Sequence, residues 1–196
     1  MSTQALAEHY PRSVTLPEGP TVELRLMTAD DREAVMGFAR GLPQEDLMFL
    51  RVDLTQPAVV DEWIANVEAG YSTTLLAYDA AGLVGYATVH RDPAPWTRRI
   101  GEIRVNVSPA YRGKGLGRVL ISRIFDVGRG LGLAKLVAHM TADQHGAQAA
   151  FRRLGFIPEA VLADYVEDRG GRLRDMVIMT YDIEGHTDRM PEPLKV

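Results

Sequence analysis

The chain is 196 residues long, the size of one domain, with 46% apolar and 24% charged residues and a formal net charge of −4 at pH 7. Such a slightly acidic balance argues against a nucleic-acid binder, whose footprint is a basic face, and no apolar run reaches the roughly 18 residues of a membrane-spanning helix. Cysteine is absent, which excludes disulfides, thiolate metal sites and a cysteine nucleophile, and the histidines lack HExxH-type spacing, so no metal is expected.

Residues 1–19 contain two prolines, a glycine and few large apolar groups, and read as an N-terminal arm. The stretch MSTQALAEHYPRSV lacks an apolar signal core, so the expected compartment is the cytoplasm. Thr21–Met27 reads as a strand. Thr28, with Asp31 three residues on, forms a capping-box pattern for a helix that Gly41 ends. After Pro43 comes a second helical region, clearest over Pro57–Ala69, with Val60, Trp63, Ile64 and Val67 on one stripe and Gly70 as its stop. Thr73–Tyr78 and Leu83–His90 are strands joined by an Asp-Ala-Ala-Gly turn, and Ile100–Val107 continues the meander. A helix follows to about Leu131, its apolar residues Leu116, Leu120, Ile124, Val127 and Leu131 falling at i+4 and i+3 steps. Lys135–Met140 is a strand and Gly146–Leu154 a helix. A hairpin pairing Tyr165–Val166 with Met176–Tyr181 ends the domain, taken as residues 20–184, and 185–196 read as a loose tail. This order predicts an α/β (α+β) fold: a mixed sheet of about seven strands with helices on both faces.

Between the third strand of the meander and its helix lies Tyr111-Arg-Gly-Lys-Gly-Leu-Gly-Arg118. A Walker A loop requires Ser or Thr after Gly-Lys, and here Gly115 stands there; a dinucleotide GxGxxG fingerprint fails because its third glycine falls on Arg118 or Leu120. A strand, glycines and then a helix start still aim backbone N–H groups and a positive helix end at one point, and Arg112, Lys114 and Arg118 add cations. A diphosphate suits such a loop; the same letters also serve as a solvated turn.

The run Val105-Asn-Val-Ser-Pro-Ala-Tyr-Arg-Gly-Lys-Gly-Leu-Gly-Arg118 resembles the acetyl-CoA motif of the GNAT superfamily of N-acetyltransferases, written Arg/Gln-x-x-Gly-x-Gly/Ala, with Arg112, Gly115 and Gly117 at the fixed positions. Ala147-Gln-Ala-Ala-Phe-Arg-Arg-Leu-Gly-Phe156 resembles the family's second motif at the usual distance. The resemblance spans roughly residues 20–184 and is closest to protein-lysine acetyltransferase-type domains. It implies a sheet splayed open between the 100–107 and 135–140 strands, with CoA in the gap. The implied cofactor contacts are Val105, Asn106 and Val107 on the strand, Arg112, Gly113, Lys114, Gly115, Leu116, Gly117 and Arg118 in the loop, and Gln144 and Phe151 beyond it. The pantetheine amides would pair with the backbone of Val105 and Val107 like an added strand.

The implied reaction is direct acetyl transfer from a thioester to an amine. Glu102, on the strand leading to the loop, matches the place where related lysine acetyltransferases carry a base; alternatively it pairs with Arg104 on a solvated face. His90 is a second candidate for that role. A backbone N–H at or beside Val107 would hold the oxyanion. The family often uses a tyrosine acid where this chain has Phe151, and an asparagine where it has Gln144, which leaves proton delivery to the thiolate to Tyr165 or water. The expected acceptor is a primary amine, of a protein lysine or a small molecule, lined by Leu42–Asp53, the 92–99 loop with Trp96, and the final hairpin. Glu45, Asp46 and Asp53 are candidates to attract its ammonium group. A catalytically weak CoA-binding or sensory domain is the alternative, and a homodimer is compatible with the family.

Overall fold

A computed structural model of the chain describes residues 6–47, 52–168 and 170–185, apart from the side chains of Gln44 and Glu45. The elements in chain order are β1 (Arg12–Thr15), β2 (Thr21–Leu26), α1 (Arg32–Arg40), the single turn α2 (Gln44–Leu47), α3 (Pro57–Glu68), β3 (Ser72–Asp79), β4 (Gly82–Arg91), β5 (Ile100–Val107), α4 (Leu116–Gly130), β6 (Lys135–Thr141), α5 (His145–Arg153), β7 (Ile157–Glu167) and β8 (Leu173–Asp182). The strands form one mixed sheet in the order β1-β2-β3-β4-β5-β6-β8-β7.

Alternation along the strands divides the core between two helical layers. Leu75, Ala77, Ala87, Val89 and Ile103 point to the face covered by α4 and α5. Leu76 and Tyr86 point to the face covered by α1 and α3. The apolar stripe predicted for α4 is the one it buries: Leu116, Leu120, Ile124 and Val127 are inaccessible. Each such aliphatic side chain contributes about 1.5–3 kcal/mol by leaving water. On the opposite layer α1 buries Val35, Met36, Phe38 and Ala39, and α3 buries Val60 and Trp63. Pro57 opens α3, where its missing N–H costs no helical bond. The Thr28–Asp31 pattern holds: the Asp31 carboxylate accepts the Thr28 backbone N–H at 2.8 Å, and a short 3-10 turn over Ala29–Asp31 leads into α1.

The structure differs from the sequence reading at the N-terminus. Arg12–Thr15 is not part of a detached arm but an eighth strand, paired antiparallel with β2 through Val14 and Val22. Leu6 and Leu16 enter the core on the α4 side. A four-residue strand at the sheet edge, burying little of its own, carries too short an alternation to be read from sequence. No helix among the described residues is long and apolar enough to cross a membrane.

One feature of the sheet positions the site. β4 and β5 pair along their lengths, from Gly85 opposite Val107 to Arg91 opposite Gly101. β5 and β6 run parallel but pair only through Ile100–Lys135, Gly101–Leu136 and Glu102–Val137. Beyond Glu102 the two strands part, and the sheet opens between their C-terminal halves.

Candidate active site

The backbone of β5 after Glu102 has a partner on one side only. Ser108 N–H donates to Val84 on the β4 side at 2.9 Å. Strand alternation then turns the N–H groups of Val105 and Val107 the other way, into the opening that β6 has left. This is a short exposed edge within a sheet, the geometry that accepts an extended amide chain as an added strand.

At the end of β5 the glycine loop turns the chain into α4. Gly113 and Gly115 adopt φ of +75° and +90°, conformations that disfavour a side chain. Gly115 is also the N-cap of α4, with no side chain capping the helix, and a Cβ at this position would lie 2.8 Å from Pro17 Cδ. The β1–β2 turn therefore braces the loop from behind. The first intrahelical bond runs from Val119 N–H to Gly115 O, which leaves the N–H groups of Leu116, Gly117 and Arg118 as the orphan donors of the first turn. The Leu116 side chain is buried in the core, so only its backbone faces a ligand. Arg112 pairs with Asp46 of α2, and Lys114 Nζ lies 5.2 Å from the Tyr111 ring centroid. Tyr111 itself is buried and structural. Its hydroxyl donates to Asp79, which also accepts the Ala81 and Gly82 N–H groups at 2.8 and 3.0 Å. That bond to a carboxylate, reinforced by burial, pushes the phenol up to about 12.

A cavity of about 860 Å³ runs from the β5–β6 opening across the sheet to α3. The β4–β5 register sets Asn106 beside Tyr86, Arg104 beside Thr88 and Glu102 beside His90, and all six line it. Glu102 stands where the sheet parts. Arg104 Nε donates to Glu102 Oε1 at 2.9 Å, and His139 Nδ1 of β6 lies 3.8 Å from the same oxygen. The Glu102 side chain is 22% exposed, so it reaches both the cavity and solvent. The two sequence readings of Glu102 thus meet in one geometry: it is paired with Arg104, and it faces the opening. His90 shares a 2.7 Å hydrogen bond with Ser72 Oγ. Asn106 donates to the buried Tyr86 hydroxyl at 2.6 Å, and burial drives that phenol far above its ordinary range, keeping it neutral.

On the opposite lip, Gln144 is the N-cap residue of α5 and its side-chain oxygen accepts the Thr141 N–H at 3.0 Å. The buried Gln148 amide donates to the carbonyls of Thr141 and Ala142 at 3.3 and 2.9 Å, which ties α5 to the end of β6. Phe151 is buried edge-on against Phe156, with ring centroids 5.0 Å apart, and still lines the cavity beside Gln144. Tyr165 is 63% exposed at the rim. The β7–β8 register breaks between Leu162 and Val166, Asp164 adopts φ +52°, and this bulge turns Tyr165 toward the cavity.

The Acetyltransferase (GNAT) family model matches residues 47–156, more than half of the chain. The chain belongs to the GNAT family of acetyltransferases. The family brings acetyl-CoA as donor and an amine as acceptor. Its curated relatives include L-amino acid N-acyltransferase MnaT of Escherichia coli (strain K12), 30% identical over 63% of this chain and 72% of that protein. Streptothricin acetyltransferase of Streptomyces lavendulae is 37% identical over 47% of this chain, and the match spans about half (48%) of that relative. The yncA structure from Salmonella typhimurium, solved with its cofactor acetyl-CoA, superposes with a TM-score of 0.74 at 22% identity, covering 84% of this chain and 95% of that one.

The far side of the cavity in this GNAT domain matches the expected acceptor lining in part: Val52, Pro93, Tyr165 and Met176 come from the predicted segments, whereas α3 was not expected there. Its wall is chiefly α3 and its flanks, including Leu54, Val59, Trp63 and Asn66, with Pro93, Tyr165 and Met176 opposite. Asp46 is held by Arg112, and Asp53 accepts the Thr55 N–H and hydroxyl at 3.0 and 2.6 Å, serving a turn ahead of α3. Met48–Arg51 and the Glu45 side chain lie outside the described residues. Trp96, on the 92–99 loop, is 88% exposed and belongs to neither core layer. Sequence reasoning missed His139. Its signal was present, because Leu136, Ala138 and Met140 alternate inward on β6 and leave His139 as the polar residue of the other phase.

Proposed function

We propose that this domain moves an acetyl group from acetyl-CoA directly to a primary amine bound in the cavity on the α3 side of the sheet. The observation that carries the reading is the coincidence of three features at one point: β5–β6 pairing ends at Glu102, the cavity passes there, and Glu102 lines it. The diphosphate rests on the backbone from Gly113 to Arg118, and the pantetheine arm pairs with Val105 and Val107 in the opening. Glu102 takes the proton of the attacking ammonium, directly or through one water. The nitrogen lone pair then adds to the thioester carbon, and a backbone N–H of β5 at or beside Val107, not engaged by the pantetheine arm, stabilises the oxyanion. The C–S bond breaks, the nitrogen loses its second proton to water, and the thiolate is protonated by water or by Tyr165, since Phe151 has no proton to give. A thiolate leaves far more readily than an alkoxide and does so without a dedicated acid.

The names of the relatives pull two ways: acyltransferases of L-amino acids and of streptothricin support a small-molecule amine, and the N-alpha-acetyltransferase RimI of Mycobacterium tuberculosis supports an α-amine of a larger acceptor. Thiol release measured across small amines, polyamines and lysine-bearing peptides tests the reading, with acetyl-CoA binding measured in parallel. Binding of acetyl-CoA with no CoA release for any acceptor overturns it in favour of a sensory or CoA-binding domain, a reading to which the Glu102–Arg104 pairing lends some support.

A further inference from the structure

The cavity wall contains donors that the fold leaves without a partner. Among the described residues, Trp63 Nε1 and Arg91 Nε are buried with no hydrogen-bond acceptor, and both residues line the same cavity. Trp63 is 7% exposed. Its ring packs against Tyr86 and His90, with centroids at 5.1 and 6.4 Å. Arg91 is anchored through its other end, where Nη2 donates to the Gly70 carbonyl. Buried N–H groups are nearly always satisfied, and two orphans on one cavity wall mark where a ligand supplies acceptor oxygens.

We propose that this end of the cavity holds the carboxylate of the acceptor, and that the substrate is a small amino acid-like molecule carrying both an amine and a carboxylate. The inference rests on the acetyltransferase reading above. Trp63 Nε1 and Arg91 Nε donate to the carboxylate, and the Arg91 guanidinium supplies the charge. The register places His90 beside Glu102, and the Trp63 ring lies 6.4 Å from the His90 ring, so the carboxylate end is more than one strand spacing (about 4.8 Å) from the proposed base, which leaves room for the amine and a bridging water between them. The lining charges agree with a zwitterion. Arg91 sits at the carboxylate end, Glu102 with Arg104 and His139 at the amine end, and the exposed Glu62 and Glu167 stand along the wall, where they favour an ammonium over a second anion. Leu54, Val59 and Val52 give the remaining wall an apolar character, so the side chain of the substrate is apolar.

The test uses the full chain and matched compounds: L-leucine, L-methionine and L-phenylalanine, each with its amide and its decarboxylated amine. Calorimetric binding to the CoA-loaded protein is read alongside thiol release from acetyl-CoA. The expected result is that at least one acid binds about 10-fold or more tighter than its amide and amine, the worth of a hydrogen-bonded charge. Trp63→Phe keeps the ring and removes the donor; it is expected to weaken the acid by about 5- to 10-fold while the amide changes by less than about 2-fold. Equal binding of acid, amide and amine, the pattern of a wall satisfied by water alone, overturns the proposal whether or not turnover occurs. Carboxylate-selective binding without any CoA release supports the carboxylate site and overturns the catalytic reading, so the two fail separately.

Discussion

Glu102 on β5 and His139 on β6 approach, Oε1 to Nδ1 at 3.8 Å, at the last residue pair that joins their strands. The contact spans the point where the sheet opens, and Arg104 holds the same carboxylate oxygen from its own strand at 2.9 Å. If Glu102 removes the proton of the amine, Glu102→Gln keeps shape and hydrogen bonding but cannot accept a proton, and kcat falls by about 10²- to 10⁴-fold. Acetyl-CoA affinity, measured by calorimetry, stays within about 2-fold of the parent, because the diphosphate cradle lies at the far end of β5. His139→Gln costs less, and in the double variant the two losses are not additive, as expected of groups that share one contact. A drop below about 5-fold for Glu102→Gln would return the residue to a surface pair with Arg104.

The two left-handed glycines of the loop separate strain from collision. Gly113 has φ +75° and open space around its Cα, whereas Gly115 has φ +90° and Pro17 Cδ 2.8 Å from where a Cβ would sit. Gly113→Ala therefore loses about 1–2 kcal/mol of stability from backbone strain alone. Gly115→Ala loses more and also shifts the N-terminus of α4, so acetyl-CoA binding weakens by about 10-fold or more while Gly113→Ala retains most of its affinity. Thermal melts and acetyl-CoA titrations of the two variants side by side check this ordering, and equal behaviour would remove the Pro17 brace from the account.

The glycine loop and the helix after it were legible because their features are local. A strand, three alternating glycines and an apolar 3.6-residue period lie within one stretch, and α4 buries the residues that the period selects. The phase of β5 was equally readable, with Ile103 turned inward and Glu102, Arg104 and Asn106 onto the cavity. The acceptor half is built by residues far apart in sequence. Trp63 reads as one more apolar residue on the stripe of α3, and nothing local distinguishes an indole packed in a core from one whose N–H lines a cavity. Asp46 illustrates the reverse case: a carboxylate that looks suited to an ammonium is held instead by Arg112, 66 residues away.

The buried carboxylate of Asp31 sets a stability limit at low pH. Burial pushes its proton affinity up, but Arg25, the Thr28 N–H and the Tyr78 hydroxyl together hold it below the usual carboxylate range. A folded value below the unfolded one, about 3.9, means that the stabilisation is present above pH 4 and is lost as pH falls through the folded value. Asp31→Asn at neutral pH leaves Arg25 short of its partner and costs about 2–4 kcal/mol, discounted for the part of Arg25 that meets solvent. The variant's stability, followed by denaturant unfolding from pH 7 to pH 3, declines less steeply than the parent's. At the alkaline end the sign reverses. Burial, then the bond to Asp31, pushes Tyr78 up to about 12, so its contribution is intact below about pH 10 and fades as pH rises through that value.

Loss of the thiolate requires a proton, and the two aromatic side chains nearest the question make opposite offers. Phe151 lines the cavity from α5 and has no hydroxyl; Tyr165 has one but stands 63% exposed on the β7 bulge. A solvent-exposed phenol competes with water for the role, and a thiolate is already a fair leaving group. Tyr165→Phe is therefore expected to lower kcat by less than about 10-fold, well under the range of an obligate general acid. Phe151→Tyr restores the hydroxyl common in the family, yet its ring is fixed edge-on to Phe156 at 5.0 Å, so it is expected to change kcat by less than about 3-fold. Both are read by thiol release at saturating acetyl-CoA, with melting temperature as the control for folding. A 100-fold loss in Tyr165→Phe would instead make Tyr165 the acid, and would require β7 to close over the cavity during turnover.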